Sequence, residues 1–226
     1  MVDLYFHSYC ANENLKNNTI TKSEKHFQAL KKLIQQHWKT IPPNEIRAIY
    51  LYAINYCIKR LNSGERHFIR EGFELFRSGL ENETLLEEGI LSSFTYKNIT
   101  RLGMALSENK WVEQFLADYK KYLHPREREN TWRYNLAFFY FQQEKYKDAM
   151  QLLLRVEFKD VLNNLDARRM LLKSYFELGE YNALDSLLDS FSRYIHRQKE
   201  MGYHRYNYLN LILFVKKIIY LVSNWG

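Results

Sequence analysis

Few residue combinations in this sequence could carry out catalysis. The run Ser107-Glu-Asn-Lys110 has the S-x-x-K spacing in which a lysine activates a serine nucleophile, but the companion motifs of those enzymes are absent. Asp185 and Asp189 lie one turn apart on a predicted helix, where such carboxylate pairs are usually solvated. There is also no phosphate-binding loop and no glycine-rich dinucleotide motif. We therefore predict a protein that is not an enzyme.

Metal and cofactor chemistry has no better support. The seven histidines include no pair four residues apart and no H-E-x-x-H motif. Cys10 and Cys57 are far apart and have apolar neighbours, so each is expected to be a buried free thiol. The sequence predicts neither a metal nor a cofactor.

The positive charges could bind nucleic acid at one end of the chain. Residues 193–226 contain six Lys or Arg and one acid, which supplies +5 of the formal net charge of +7. Cations that could contact phosphates are interleaved there with tyrosines that could stack on single-stranded bases. These cations are Arg193, Arg197, Lys199 and Arg205. The alternative is a solvated helix end, so nucleic acid binding is kept as a second hypothesis.

Helices are the elements expected to position these residues. Only 8 glycines and 3 prolines occur in 226 residues, which argues against many short strands and hairpins. Apolar residues recur at helical spacing, and Pro42-Pro43 separates two such segments. We predict an all-α fold of about ten or eleven helices in antiparallel pairs. The predicted pairs are 3–12 with 21–39, 44–61 with 65–79, 93–107 with 110–122, 128–143 with 146–157, and 160–178 with 181–198, followed by 203–222.

The second half of the chain contains a repeat. Trp111, Tyr146 and Tyr181 are each separated by 35 residues, and each follows a short break between predicted helices. Two further series keep the same spacing: Ala105, Tyr140 and Tyr175; Leu102, Ala137 and Leu172. A period in this range with one helix pair per unit is typical of a solenoid, in which each pair buries its apolar face on its neighbours.

The repeat resembles the tetratricopeptide family. The stretch Tyr134-Asn-Leu-Ala137…Tyr140…Glu144-Lys-Tyr146-Lys-Asp-Ala149 carries the resemblance, and Leu171-Leu172…Tyr175…Gly179-Glu-Tyr181 follows it. The resemblance assigns helix packing to Leu136, Ala137, Tyr140, Tyr146, Ala149, Leu172, Tyr175 and Tyr181. The unit around Trp111 matches less well, because Arg101 replaces the expected apolar residue.

This resemblance implies a right-handed α-solenoid. We expect divergent helix pairs over 1–92, tetratricopeptide-like repeats over 93–198 and a capping helix over 199–226, all in one continuous solenoid. The whole chain is also similar to uncharacterised bacterial tetratricopeptide-like proteins, a likeness that implies a fold and supplies no function.

In this family the first helix of each pair lines a concave groove that binds protein or peptide. The matching positions here are Tyr134, Phe138, Phe141, Gln142, Arg169, Lys173 and Phe176, with Glu177, Ile99, Gly103 and Leu106 beside them. Aromatic rings beside cations would suit a peptide with apolar anchors and some acidic character. The alternative is that helix stacking buries several of these rings. Capture of a C-terminal carboxylate is rejected, because Phe138 and Asp166 occupy positions where that site needs Asn and Lys.

The last predicted helix is apolar on nearly every side. Lys216 and Lys217 lie in its middle, so a membrane span is not expected. A helix of this kind must be buried, and we predict that it closes the end of the stack. It could instead dock on a partner, on another copy or on further downstream sequence. The first residues do not form a signal peptide, so a cytoplasmic location is expected unless the chain is a piece of a longer protein.

Overall fold

A computed structural model describes residues 7, 20–157, 161–198, 201–202 and 204–224. These residues form ten α-helices and one 3-10 helix, with no strands, so the all-α prediction is confirmed. The helices are α1 (Ile20–His37), α2 (Pro43–Asn62), α3 (Phe68–Glu81), α4 (Ser93–Ala105), α5 (Asn109–Asp118), α6 (Arg128–Gln142), α7 (Tyr146–Leu153), α8 (Val161–Glu177), α9 (Tyr181–Arg197) and α10 (His204–Asn224). The predicted helix 3–12 lies outside the described residues except for His7.

Local sequence explains several helix boundaries. Pro43 begins α2. Proline fits there because the amide N–H that it lacks would have no hydrogen-bond partner in the first turn of a helix. The Ser92 hydroxyl caps α4 by accepting a hydrogen bond from the Thr95 amide at 3.1 Å. Between α3 and α4 the chain is irregular apart from two isolated bridges (Glu87 with Ile90, Leu91 with Leu123).

The chain divides into two compact units, residues 1–127 and residues 128–226. In the first unit, each helix from α1 to α4 packs on the next one along the chain. The boundary between the units falls inside the predicted repeat array of residues 93–198. One continuous solenoid therefore stays a prediction.

A buried cation lies in the core of the first unit. Arg60 is 1% exposed and makes two hydrogen bonds to the Glu65 carboxylate. It also donates to the Tyr56 hydroxyl at 2.7 Å, and its guanidinium lies 4.8 Å from the centre of the Phe68 ring. The Ser23 hydroxyl donates to the same Tyr56 oxygen at 3.0 Å. A buried charge needs such partners to be tolerated, and these link α1, α2 and the turn before α3.

The second unit consists of the pairs α6–α7 and α8–α9 followed by α10. Within each pair the two helices contact each other, and the second helix also packs on the first helix of the next pair. The apolar residues of α7 and α9 that face these contacts are buried, including Ala149, Leu153, Leu184 and Leu188. This succession is what a helical repeat requires, because a single pair cannot bury both of its faces.

Three helix pairs share the same turn. Ser107, Glu144 and Gly179 have φ values of 60°, 59° and 72°, and each ends the first helix of a pair. The next residue donates its amide to the carbonyl five residues back at 3.0 Å, as in a Schellman motif: Glu108 to Gly103, Lys145 to Tyr140, and Glu180 to Tyr175.

The shared turn corrects the predicted register. The left-handed residues are 37 and then 35 residues apart, so the first unit of the repeat is displaced by two positions. Trp111 is therefore the third residue of α5, whereas Tyr146 and Tyr181 begin α7 and α9. In the corrected register Thr100 matches Ala137 and Leu172, and Val112 matches Ala149 and Leu184. All six are buried. In this register Arg101 no longer falls at the apolar position that the 35-residue spacing assigned to it.

The residues assigned to repeat packing fall into two groups. Ala137, Ala149 and Leu172 are buried. Trp111, Leu136, Tyr140, Tyr146, Tyr175 and Tyr181 are half-buried. Two of the half-buried rings make equivalent edge contacts within successive turns, Tyr146 with Phe141 and Tyr181 with Phe176.

Candidate partner-binding surface

The predicted groove is not lined by accessible aromatic rings. Tyr134, Phe138 and Phe141 on α6 are 2%, 7% and 7% exposed, so all three belong to the core. The physical reason is that α6 contacts both α7 and α8, and these contacts leave little of its apolar surface uncovered. The Tyr134 hydroxyl is also engaged, because it donates to the Asp166 carboxylate on α8. The alternative in which stacking buries the rings is therefore the one observed.

Two cations of the predicted groove lie over one of these buried rings. The Arg169 guanidinium and the Lys173 ammonium lie 5.9 Å and 5.6 Å from the centre of the Phe141 ring. Arg169 also donates to Asp166 at 3.0 Å, so its charge is partly balanced. Lys173 and Gln142 are exposed, whereas Phe176 is half-buried. The accessible part of this surface is therefore cationic and polar, and a role for it in binding stays a prediction.

The basic segment predicted for nucleic acid is only partly brought together. Arg193 and Arg197 are exposed one turn apart on α9. Lys199 lies outside the described residues. Arg205 donates to the backbone carbonyl of Gln198, so its guanidinium fastens the start of α10 to the end of α9. Nucleic acid binding through this segment stays a prediction.

The last helix, α10, is buried on one side only. Ile212 and Val215 face α9 and are buried, and the Tyr208 ring centre lies 5.7 Å from that of Phe191. Beside them the Lys216 ammonium donates to the Asp189 carboxylate at 2.6 Å. Among the described helices, α10 contacts α9 alone. Its other side is exposed, and capping of the stack by α10 or docking of α10 on a partner stays a prediction.

The side of α10 turned away from α9 has four large exposed side chains, which form its uncovered face. Their exposed fractions run from 55% at Leu221 to 71% at Tyr206, and the other two are Leu213 and Phe214. Tyr220 and Val222 are also exposed, but Val222 follows the buried Val215 by seven residues and so lies on the side that packs on α9. Elsewhere in the described residues, large exposed apolar side chains occur singly or far apart along the chain: Tyr52, Phe94, Leu154, Leu162 and Leu178. Scattered residues of that kind are normal on a protein surface, whereas a contiguous cluster is typical of an interaction site.

The charge on α10 is of one sign. This helix contains Arg205, Lys216 and Lys217 and no Asp or Glu. The hydrogen bond between Lys216 and Asp189 raises the pKa of the lysine and lowers that of the aspartate, so both stay charged across the neutral range. Lys217 is exposed within the uncovered face.

The sequence contained a signal for this face that periodicity alone did not resolve. Tyr206, Leu213 and Tyr220 recur every seven residues, and the next residue of each heptad follows the same spacing (Asn207, Phe214, Leu221). A heptad stripe of this kind marks one helix face that packs against another helix. Because Ile212 and Val215 supply a second apolar face, the helix reads as apolar all round.

The remaining candidate sites have structural explanations. Ser107 of the S-x-x-K run is the left-handed residue of the α4–α5 turn, and Lys110 is the second residue of α5. Cys57 is a buried free thiol as predicted, and burial raises the pKa of its thiol. Cys10 lies outside the described residues. No group of three or more His, Cys, Asp or Glu in the described part of the chain is placed to hold a metal ion.

A cleft of about 260 Å³ in the first unit also has its charged lining accounted for. Lys31 makes an ion pair with Glu71, and the Arg77 guanidinium lies 5.6 Å from the centre of the Trp111 ring. Glu74 and Glu81 line the same cleft and would disfavour an anion. We assign no ligand to it.

No protein-family model matches the sequence, and no curated protein or solved structure was found to be similar to it. None of the helices within the described ranges is long and apolar enough to cross a membrane.

Proposed function

We propose that this chain is a non-enzymatic helical-repeat scaffold of the tetratricopeptide type, a right-handed solenoid of antiparallel helix pairs that binds another protein chain. The uncovered face of α10 is its binding surface. The recurring Schellman turn and the contacts between successive pairs in the second unit support the repeat. We prefer this face to the predicted groove because three of the groove's four aromatic rings, Tyr134, Phe138 and Phe141, are buried.

The observation that carries the proposal is the position of α10 in the succession of helices. α10 packs on α9 as α8 packs on α7, and we interpret it as the equivalent of a first helix of a pair. The helices α6 and α8 are each covered by the second helix of their own pair, but no described helix covers α10 in that way. An apolar helix face in this position is completed by a protein surface of similar shape.

The uncovered face is a contiguous apolar patch of a size that often has a function. Its four side chains expose roughly 450 Å², taking about 150–250 Å² for a whole large side chain, and apolar patches of about 300–600 Å² are often functional. Aromatic residues near the centre of such a surface usually contribute most of the binding free energy, and Phe214 occupies that place.

The test is an affinity purification with two matched variants. Phe214 and Phe94 are 63% and 62% exposed, so Phe214→Glu and Phe94→Glu introduce the same charge at equally exposed phenylalanines in different units. We expect quantitative mass spectrometry to find proteins retained by the wild type and by Phe94→Glu but lost with Phe214→Glu. Circular dichroism and thermal melting should show that both variants are folded. If both variants retain the same proteins as the wild type, α10 is not the binding surface.

A further inference from the structure

We infer that the partner of the uncovered face of α10 is an amphipathic helix of another protein, and that this helix carries a carboxylate opposite Lys217. The inference rests on the proposed function, because it gives the chemistry of the partner that the surface assigned there would bind. The observation behind it is the position of Lys217 among the exposed side chains of α10.

Lys217 lies along the middle of the uncovered face. Tyr206 and Leu213 form one apolar row along this face, and Phe214 and Leu221 form the other. At about 3.6 residues per turn, Lys217 projects between the two rows. Its side chain is exposed, so water hydrates the ammonium in the unbound chain. A partner helix that covers both rows must therefore cover Lys217 as well.

A covered ammonium needs an acidic partner. Removing a lysine charge from water is unfavourable unless that charge is paired and hydrogen-bonded. Lys217 makes no ion pair within the described residues. The helix itself contains no Asp or Glu that could turn toward it. The carboxylate must therefore come from the chain that covers the face.

The packed side of α10 already has this arrangement. There the Lys216 ammonium donates to the Asp189 carboxylate of α9 at 2.6 Å, beside the buried Ile212 and Val215. Thus α9 supplies both an apolar contact and a carboxylate to one side of α10. A partner helix with apolar residues and an Asp or Glu would supply the same two groups to the other side.

Asn210 adds a second requirement. It is exposed on the same central line as Lys217, about 10 Å away along the helix axis. Its amide also needs a hydrogen-bond partner once water is excluded. We therefore expect a polar residue about two turns from the carboxylate on the partner helix, and the two polar contacts together would fix the register of the helices.

The position of Lys217 disfavours the other occupants of this face. Helices that lie in a membrane interface carry their cations on the polar side, away from the side chains that enter the lipid. Nucleic acid phosphates are bound by several cations together, whereas the described part of this face presents one lysine. The same face of a second copy would bring another lysine and no carboxylate.

The experiment is carbodiimide cross-linking during the affinity purification of the full chain. The carbodiimide activates a carboxylate that lies against Lys217, and the lysine amine displaces the activating group as a urea, which leaves an amide bond between the two chains. We expect mass spectrometry to locate this bond at an Asp or Glu within an amphipathic helical segment. The bond should be lost with Phe214→Glu. Linkage of Lys217 to a second copy, or to no other chain, would overturn the inference.

Charge variants at Lys217 test the ion pair independently. Lys217→Glu should reduce recovery of the cross-linked protein at least about tenfold, because it places one carboxylate against another, and Lys217→Arg should retain the protein. Lys110→Glu makes the same change at an exposed lysine of α5 and should also retain it. Circular dichroism should show that each variant is folded.

Two further variants distinguish an ion pair from a lysine that bends toward water. Lys217→Met keeps an apolar stem and removes the charge, so it should lose the protein because the carboxylate of the partner is left unpaired. Recovery equal to that of the wild type would overturn the inference, because the ammonium would then reach water at the edge of the contact. Changing the cross-linked Asp or Glu of the partner to Lys should restore its binding to Lys217→Glu.

Other outcomes separate this inference from the proposed function. If Phe214→Glu loses specific proteins that Lys217→Glu and Lys217→Met retain, the face binds protein through apolar contact alone and the inference is wrong. If Phe214→Glu retains every protein that the wild type retains, the binding surface and the inference both fail. If the full chain instead binds vesicles that contain phosphatidylserine and Phe214→Glu abolishes that binding, the face is a membrane contact and both are wrong.

Discussion

Two clusters, one in each unit, hold cations against aromatic rings in different ways. The first unit buries Arg60 among Glu65, Tyr56 and Phe68, so the charge of Arg60 stabilises the fold and is not accessible to a ligand. The second unit places Arg169 and Lys173 over the Phe141 ring near the surface, and leaves the apolar side of α10 uncovered. The difference suggests where binding is to be sought. The described part of the first unit satisfies its buried charge internally, whereas the second presents surface that a partner can complete.

The largest effect is expected from Arg60→Ala. This change removes the donors of the Glu65 carboxylate and leaves the Tyr56 hydroxyl with Ser23 as its only donor. Removing one partner of a buried ion pair costs about 3–5 kcal/mol, and we expect the lower end of that range because Glu65 is 29% exposed. Urea denaturation of the full chain would measure the loss. Arg70→Ala is the control, because its pair with Glu108 is exposed and is worth at most about 1 kcal/mol. Equal losses for the two variants would show that Arg60 is no more deeply engaged than a surface residue.

Acidification should weaken the same cluster. The hydrogen bonds from Arg60 lower the pKa of Glu65 below its ordinary value of 4.5. A depressed folded-state pKa gives stability that is fully present above pH 4.5 and is lost as the pH falls through the folded-state value. The free energy of unfolding of the wild type should therefore decline below pH 4.5 more steeply than that of Arg60→Ala. Parallel pH curves for the two proteins would contradict the ion pair.

These buried contacts also mark what could be predicted from the sequence. Helix positions were predictable because apolar spacing, proline and turn residues act locally, as at Pro43. The burial of the Arg60 cluster was not predictable, because Ser23, which donates to Tyr56, is 33 residues away from it in sequence and only packing brings the two together. The repeat register failed at one unit, where Trp111 imitated the spacing of Tyr146 and Tyr181. The turn of that unit, which is set by the left-handed Ser107, lies two residues earlier than a 35-residue spacing from Glu144 requires.

The candidate site was predictable only in part, for a related reason. The sequence showed that α10 is apolar and that α6 has aromatic residues. How much of a helix is exposed depends on how many other helices pack on it. The spacing of apolar residues along the helix does not reveal that number. With two neighbouring helices, α6 buries Phe138 and Phe141, whereas α10 packs on α9 alone and leaves Phe214 exposed.

The close approach of α4 and α5 gives a second contrast between the units. The position that accepts the turn hydrogen bond is Gly103 in the first unit and a tyrosine, Tyr140 or Tyr175, in the second. A Cβ on Gly103 would lie 2.4 Å from a Val112 methyl group. We expect Gly103→Ala to cost about 1–3 kcal/mol by overpacking.

Gly72→Ala is the matched comparison for Gly103→Ala, since its nearest contact would be 3.2 Å from a Leu102 methyl group. Urea denaturation should therefore show a smaller loss for Gly72→Ala than for Gly103→Ala. The reverse order would mean that α4 and α5 are not in such close contact.

A smaller effect is expected from the shared turn in the second unit. Glu144 and Gly179 hold equivalent left-handed positions, which cost a residue with a side chain about 1–2 kcal/mol relative to glycine. Glu144→Gly should relieve part of that cost and raise the free energy of unfolding by up to about 1 kcal/mol. Gly179→Ala should lower it by a similar amount. Thermal melting would detect both shifts, and changes of the same sign would show that the two turns are not equivalent.

The smallest effect is expected at the ion pair between α9 and α10. Lys216 and Asp189 are both exposed enough to be hydrated, and water and salt screen such pairs. Lys216→Gln should leave the melting temperature within the error of measurement, because Ile212 and Val215 hold α10 on α9 without it. Ile212→Ala, which opens a cavity at the same contact, is the comparison and should lower the melting temperature clearly. If Lys216→Gln proved as damaging as Ile212→Ala, charge rather than apolar packing would hold α10 in place. The position of the uncovered face of α10 would then depend on ionic strength even in the unbound protein.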